Sequence, residues 1–185
     1  MRPTLFSWLS YGLWIGLFAY LVIAAFGANR DTKTPLVQSL ILAAGVVMSF
    51  VLPRLTIFRF VNFKRVNPLV SSLGLVVCVA GMGLFIWGRQ QLGKNWSQGV
   101  SAKEDHQLVT SGPYRFVRNP MYSGGLVAAI GTAIAAGGGF VFLLIVLAAS
   151  FIWRVGAENR LMEQQFPEDY PAYRKRTKAL IPFVW

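Results

Sequence analysis

Residues 5–27, LFSWLSYGLWIGLFAYLVIAAFG, contain no charged side chain and are long enough to cross a ~30 Å hydrocarbon layer as one helix. Similar runs recur at 36–52, which is shorter and stops at Pro53, and at 69–88. A fourth uncharged run covers 120–153. It is too long for one span of ~20 residues and slightly short for two. Gly137, Gly138 and Gly139 place a break near its middle, which predicts a helical hairpin whose second arm continues past Trp153 into polar sequence. The first run exceeds the apolar core of a signal peptide and lacks a convincing cleavage site, so it reads as a retained helix. The pattern predicts an all-α integral membrane protein with about five transmembrane helices. It reads as a single domain over 1–185, with three spans in 1–88. Residues 89–185 hold a polar loop, the hairpin and a C-terminal helical tail.

Composition agrees. Hydrophobic residues make up 55% and charged residues 14%, against about 45–50% and about 25% in soluble domains. With five spans, loop 28–35, loop 89–119 and the tail share one side, and that side carries 13 of the 18 Lys and Arg residues. The positive-inside rule makes it cytoplasmic. Loop 53–68 fits less well, because Arg54, Arg59, Lys64 and Arg65 would face outward. Either it lies along the interface or the second span is misplaced. The net charge of +11 has a sufficient cause in loop retention and anionic lipid, so no nucleic-acid partner is expected. Cys78 is the sole cysteine, which rules out a disulfide within the chain and leaves a small buried hydrophobe. No metal site is expected either, since His106 is the only histidine. A loop histidine of this kind is read as solvated rather than catalytic.

Candidate chemistry therefore falls on loop 89–119 and tail 154–185. Gly112–Pro113 and Asn119–Pro120 mark turns, and Pro120 suits the first position of the fourth helix. Ser123, Gly124 and Gly125 keep that helix's opening turn small. Arg154 and Glu158 are four apart and so share a helix face. Such a pair is commonly a surface ion pair, but ionisable groups where a helix leaves the bilayer are functional suspects. Leu161, Met162 and Phe166 form an apolar stripe. Tyr170, Tyr173, Lys175, Arg176 and Lys178 read as interfacial anchors. Gly74, Gly81 and Gly88 recur every seven residues and permit close helix contact, either within the chain or between copies.

HQLVTSGPYRFVRNPMYSGG (106–125) and RVGAENRLMEQQFPEDYPAYRKRTKALIP (154–182), with LGKNW (92–96) upstream, resemble the isoprenylcysteine carboxyl methyltransferases and their phospholipid N-methyltransferase relatives. The resemblance implies an integral membrane methyltransferase that uses S-adenosyl-L-methionine. Its cofactor segments fall on His106, Gln107, Leu108, Val109 and Tyr114, then on Asn119, Pro120, Met121 and Tyr122. Its cofactor-binding glutamate falls on Glu158 and its substrate-site, catalytic arginine on Arg154. The implied partner is a lipid or lipidated acceptor in the bilayer, methylated on an isoprenylcysteine-type carboxylate or a phospholipid amine at the cytoplasmic face. Two departures stand out. Asn119 replaces a frequent His, which excludes acid–base work there, and the family's paired glutamates are reduced to Glu158–Asn159.

The residue types suit that chemistry. Glu158 can accept from an ammonium or ribose hydroxyls, and the N–H groups opening the fourth helix suit a carboxylate. Leu108 and Val109 offer an apolar bed for adenine, with Tyr114 or Tyr122 closing over it. Arg154 can hold an anionic acceptor. Two rivals remain open at this level. One is an NADPH-dependent sterol- or steroid-type reductase, whose ends look somewhat like DYPAYRKRTKALIPF. The other is a non-enzymatic membrane scaffold.

Overall fold

A computed structural model describes residues 4–26, 67–93, 107–137 and 141–182. Among these residues the chain is helical throughout: α1 (Leu5–Phe26), α2 (Pro68–Leu92), a single 3-10 turn (Gly112–Arg115), α3 (Pro120–Ala136), α4 (Val141–Gln165) and α5 (Asp169–Arg176). A lone parallel bridge between Val117 and Lys178 is the only strand-like pairing among them. The expected second span at 36–52, and most of loop 53–68, lie outside the described residues, as do Gly138 and Gly139 of the predicted break.

Local sequence sets the helix ends. At the start of α2, the Asn67 side chain accepts from the Leu69 N–H at 2.9 Å and Pro68 occupies the first turn. α2 runs four residues past the predicted end, through Arg89 to Leu92, and stops at Gly93 with φ 50°. α3 opens on Pro120, as expected, and stops at Gly137 with φ 96°, a conformation that favours glycine. α1 and α2 are long and apolar enough to cross a membrane, with mean hydropathies of 1.6 and 2.4. α3 is a shorter apolar helix. The outer faces of α1 and α2 expose Leu5, Trp8, Ile23, Leu69, Leu73 and Val76, an apolar surface suited to lipid rather than water.

The centre of the fold is an unusually close, antiparallel contact between α2 and α3. A Cβ added to Gly81 would lie 2.3 Å from the Ala128 nitrogen, and one on Gly131 would lie 2.3 Å from the Cys78 nitrogen. Gly74 faces Ala135 and Gly131, Gly124 faces Phe85 and Gly81, and Gly88 meets Pro120 and Met121. Backbone therefore touches backbone along the whole seam. Where lipid removes most of the hydrophobic drive, such contact supplies the dispersion that holds helices together. The seven-residue glycine repeat of α2 thus packs inside the chain. α1 lies across this seam. Trp14 Nε1 donates to Thr132 Oγ1 at 2.9 Å, and Thr132 donates to the Ala128 carbonyl at 2.8 Å. Cys78 Sγ sits 3.3 Å from the same hydroxyl, fully buried as expected.

The seam fixes what lies at its end. Because α2 and α3 are antiparallel, the last turn of α2 meets the first turn of α3. Gln91 Nε2 donates to Ser111 Oγ at 2.8 Å, and the Gln91 side chain lies against Gly112, whose φ of 60° favours glycine. α4 then returns to the head of α3, where Leu126 packs near Val155.

Candidate active site

Tyr122 stands in the first turn of α3. Its ring stacks on Phe151 of α4, with centroids 4.5 Å apart and planes at 17°. Gly125 eases this approach, since a Cβ there would come within 3.2 Å of the Phe151 ring. The stack aims the Tyr122 hydroxyl at the polar end of α4. There it donates to Glu158 Oε1 and accepts from Arg154 Nε at 3.0 Å. Arg154 Nη2 lies 3.6 Å from the same carboxylate oxygen. The Arg154 guanidinium sits 5.8 Å from the Tyr122 ring centroid, at the edge of cation–π range. The pair expected from spacing alone is therefore a three-member cluster. Its side chains are only 22% and 26% exposed for Arg154 and Glu158. Both of these contacts to the carboxylate fall on Oε1.

The tail closes over this cluster. Arg118 N–H donates to the Lys178 carbonyl at 2.8 Å and Asn119 N–H to the Ala179 carbonyl at 3.1 Å. Asn119 Nδ2 reaches the Ala179 carbonyl at 3.2 Å, and Ser123 Oγ donates to the Leu180 carbonyl at 2.5 Å. Arg118 Nη1 donates to the carbonyls of Arg174, at 3.0 Å, and Thr177. Tyr173 Oη donates to the Tyr114 carbonyl at 2.7 Å, and Tyr170 Oη to Asn159 Oδ1 at 2.6 Å. Tyr170 and Tyr173 are each 3% exposed. This differs from their reading as interfacial anchors: both hydroxyls point into the protein. Lys175, Arg176 and Lys178 remain exposed. Burial pushes the Tyr173 phenol up to about 12, with Tyr170 adding to the shift, so it stays a donor at neutral pH.

The other expected cofactor residues divide by position. Tyr114 is buried in the 3-10 turn, and its hydroxyl points to the Gly88 carbonyl at 3.4 Å rather than joining the cluster. Burial raises its phenol well above the ordinary value, with Tyr173 and Glu158 contributing. Pro120 is fully buried, and both Pro120 and Met121 pack on Gly88. Asn119 fastens the tail through backbone and side chain together. Gln107 is exposed, Leu108 and Val109 are half-buried, and His106 lies outside the described residues. Met121 and Tyr122 present N–H groups that the first turn of α3 cannot satisfy internally. No group of three or more His, Cys, Asp or Glu side chains that could hold a metal occurs among the described residues.

Sequence reasoning missed Arg118, Ser123, Asn159 and Thr177 as members of the closure. Most of their partners are backbone carbonyls, which any residue supplies. The one usable signal was Asn159, noted only as a departure, which here receives the Tyr170 hydroxyl.

The phospholipid methyltransferase family matches residues 69–169, more than half of the chain. Protein-S-isoprenylcysteine O-methyltransferase B of Arabidopsis thaliana is 27% identical over 168 residues, covering 89% of this chain and 85% of that protein. Protein-S-isoprenylcysteine O-methyltransferase of Schizosaccharomyces pombe is 36% identical over 128 residues, covering 67% of this chain and 53% of its own length. The solved eukaryotic intramembrane Ras methyltransferase, an isoprenylcysteine carboxyl methyltransferase, shares the fold with a TM-score of 0.61 at 24% identity. That similarity covers 84% of this chain and 55% of the other.

Proposed function

The chain belongs to the phospholipid methyltransferase family, and from that premise we propose that it transfers a methyl group from S-adenosyl-L-methionine to the carboxylate of a lipidated acceptor at the edge of the bilayer. The observation that carries this reading is the Tyr122 hydroxyl, which joins Glu158 and Arg154 in one cluster beneath the tail. A carboxylate and a guanidinium held side by side suit two ligands of opposite charge.

The donor, when bound, supplies an electrophilic methyl on a sulfonium. Glu158 would accept from its ammonium or ribose hydroxyls, and the N–H groups that open α3 would suit its carboxylate. Leu108 and Val109 provide apolar contact for the base. Arg154 orients the acceptor carboxylate by charge-assisted hydrogen bonds. An acceptor carboxylate held by Arg154 as an anion would take that methyl as an ester without a proton transfer, with a neutral thioether as the other product. Alignment and exclusion of water supply the rate, which is the office of the Tyr122–Phe151 stack and the tail. The isoprenylcysteine substrate is carried over from the names of the relatives. The helices cross the bilayer several times, with the site toward the cytoplasm, so the lipid enters sideways and the donor from water.

Membranes carrying the protein are to be incubated with methyl-labelled S-adenosyl-L-methionine. The expected product is a lipid-extractable or lipidated-protein species whose label is released by alkali as methanol. Glu158→Ala abolishes it, with Glu158→Gln as the conservative partner. Alkali-stable label would move the acceptor to a phospholipid amine. Absence of label, together with binding of NADPH, would overturn the reading in favour of a reductase.

A further inference from the structure

A cavity lies between α4 and the tail. Its volume is about 260 Å³, and Arg118, Arg174 and Lys178 line it, with Val155, Asn159, Thr177 and Ala179 completing the wall. Three cations and no acidic side chain line the space. Arg174 also pairs with Glu163, but both are well exposed, at 48% and 42%, and such pairs hold weakly against solvent. The Lys178 ammonium has no ion pair among the described residues. Arg118 donates through Nη1 to the carbonyls of Arg174 and Thr177, which are neutral acceptors, so its guanidinium charge meets no carboxylate there.

At about 260 Å³ and open on one side, it has room for one anionic headgroup with the rest of the molecule left outside. Its surroundings are amphipathic. Phe116 and Ile181, 46% and 53% exposed, lie close in sequence to Arg118 and Lys178 on either side of the Val117–Lys178 bridge. Cations beside exposed apolar side chains match the phosphate-to-acyl boundary of a lipid, whereas a site for a soluble anion has no use for the apolar flank.

We infer that the cavity bounded by Arg118, Arg174 and Lys178 is a phosphate-binding site that takes the headgroup phosphodiester of an anionic phospholipid and seats the tail on the membrane. The inference stands on this cavity and not on the methyl-transfer reading. Purified full-length protein in a non-ionic detergent is titrated calorimetrically with dihexanoyl phosphatidylglycerol and, separately, with inorganic phosphate. The short-chain lipid is expected to bind at least about tenfold more tightly than phosphate. Lys178→Gln weakens lipid binding by about tenfold or more, as loss of a charged hydrogen-bond donor requires, and Lys178→Arg restores most of it. Lys178 is the chosen site because its structural bond runs through its backbone carbonyl. S-adenosylhomocysteine affinity, measured on the same samples, stays within about twofold. Undiminished lipid binding by Lys178→Gln overturns the site. Competitive displacement of the lipid by S-adenosylhomocysteine also overturns it, since the cavity would then belong to the donor. Equal affinity for inorganic phosphate removes the lipid assignment. If the lipid binds as stated but S-adenosylhomocysteine does not bind at all, the methyl-transfer reading fails while this one stands.

Discussion

Tyr122 is the residue on which the cluster depends, because its one hydroxyl serves both Glu158 and Arg154. Tyr122→Phe keeps the stack on Phe151 but removes both hydrogen bonds. A hydrogen bond to a charged group contributes about 1.5–3 kcal/mol, so kcat/KM should fall roughly ten- to hundredfold. Those bonds also exist in the resting fold, so unfolding should weaken by about 1.5–3 kcal/mol and no more. Steady-state kinetics beside thermal unfolding checks this. A loss of activity matched by a collapse of stability would make Tyr122 a packing residue instead. The Arg154–Glu158 pairing was legible from the chain, because spacing of four fixes a shared helix face. That Tyr122 belongs at the same site as Glu158 came from the family resemblance, but the bridging role of its hydroxyl did not, since it depends on a ring stack across two helices.

At the scale of elements, the α2–α3 seam makes a sharp comparison between two glycines of one helix. Gly81→Ala drives a Cβ to 2.3 Å from the Ala128 nitrogen, whereas Gly83→Ala meets nothing within 4 Å. Overpacking should cost Gly81→Ala about 1–3 kcal/mol or more. Gly83→Ala should be neutral or stabilising by up to about 1 kcal/mol. Thermal unfolding in detergent separates them, and equal effects would refute the close seam. The heptad of glycines was visible in the sequence, but its partner was not. Small residues recur on α2 and α3 alike, and spacing does not say which helix a stripe will meet. The tail was the least legible element. Lys178, Ala179 and Leu180 contribute carbonyl oxygens, and a main-chain acceptor leaves no trace in residue identity. The tyrosines were read as anchors for the same reason: aromatic rings beside cations fit an interface, and only their burial shows otherwise. The Tyr173 phenol rises from about 10 in an unfolded chain to about 12 when folded. Its contribution is therefore complete below about pH 10 and lost as pH climbs through about 12. Limited proteolysis of the tail should stay constant from pH 6 to about 9 and accelerate only above that window, and Tyr173→Phe should weaken this dependence, with Tyr114 and Tyr170 supplying the rest.

At the scale of the whole molecule, the described residues work as one device. A glycine seam sets α3 against α2, this places Tyr122 beside the outgoing end of α4, and the tail shuts the assembly. Removing residues 169–185 should therefore abolish donor binding while leaving the α1–α2–α3 packing, whose contacts lie elsewhere, still helical by circular dichroism. The most direct measurement is equilibrium binding of S-adenosylhomocysteine to the purified full-length protein. Binding by the unaltered chain that falls at least about tenfold in Glu158→Gln, with NADPH not bound by either, is the predicted result. Equal affinity in Glu158→Gln, or no binding by the unaltered chain, would contradict a methyl-donor site at the head of α3.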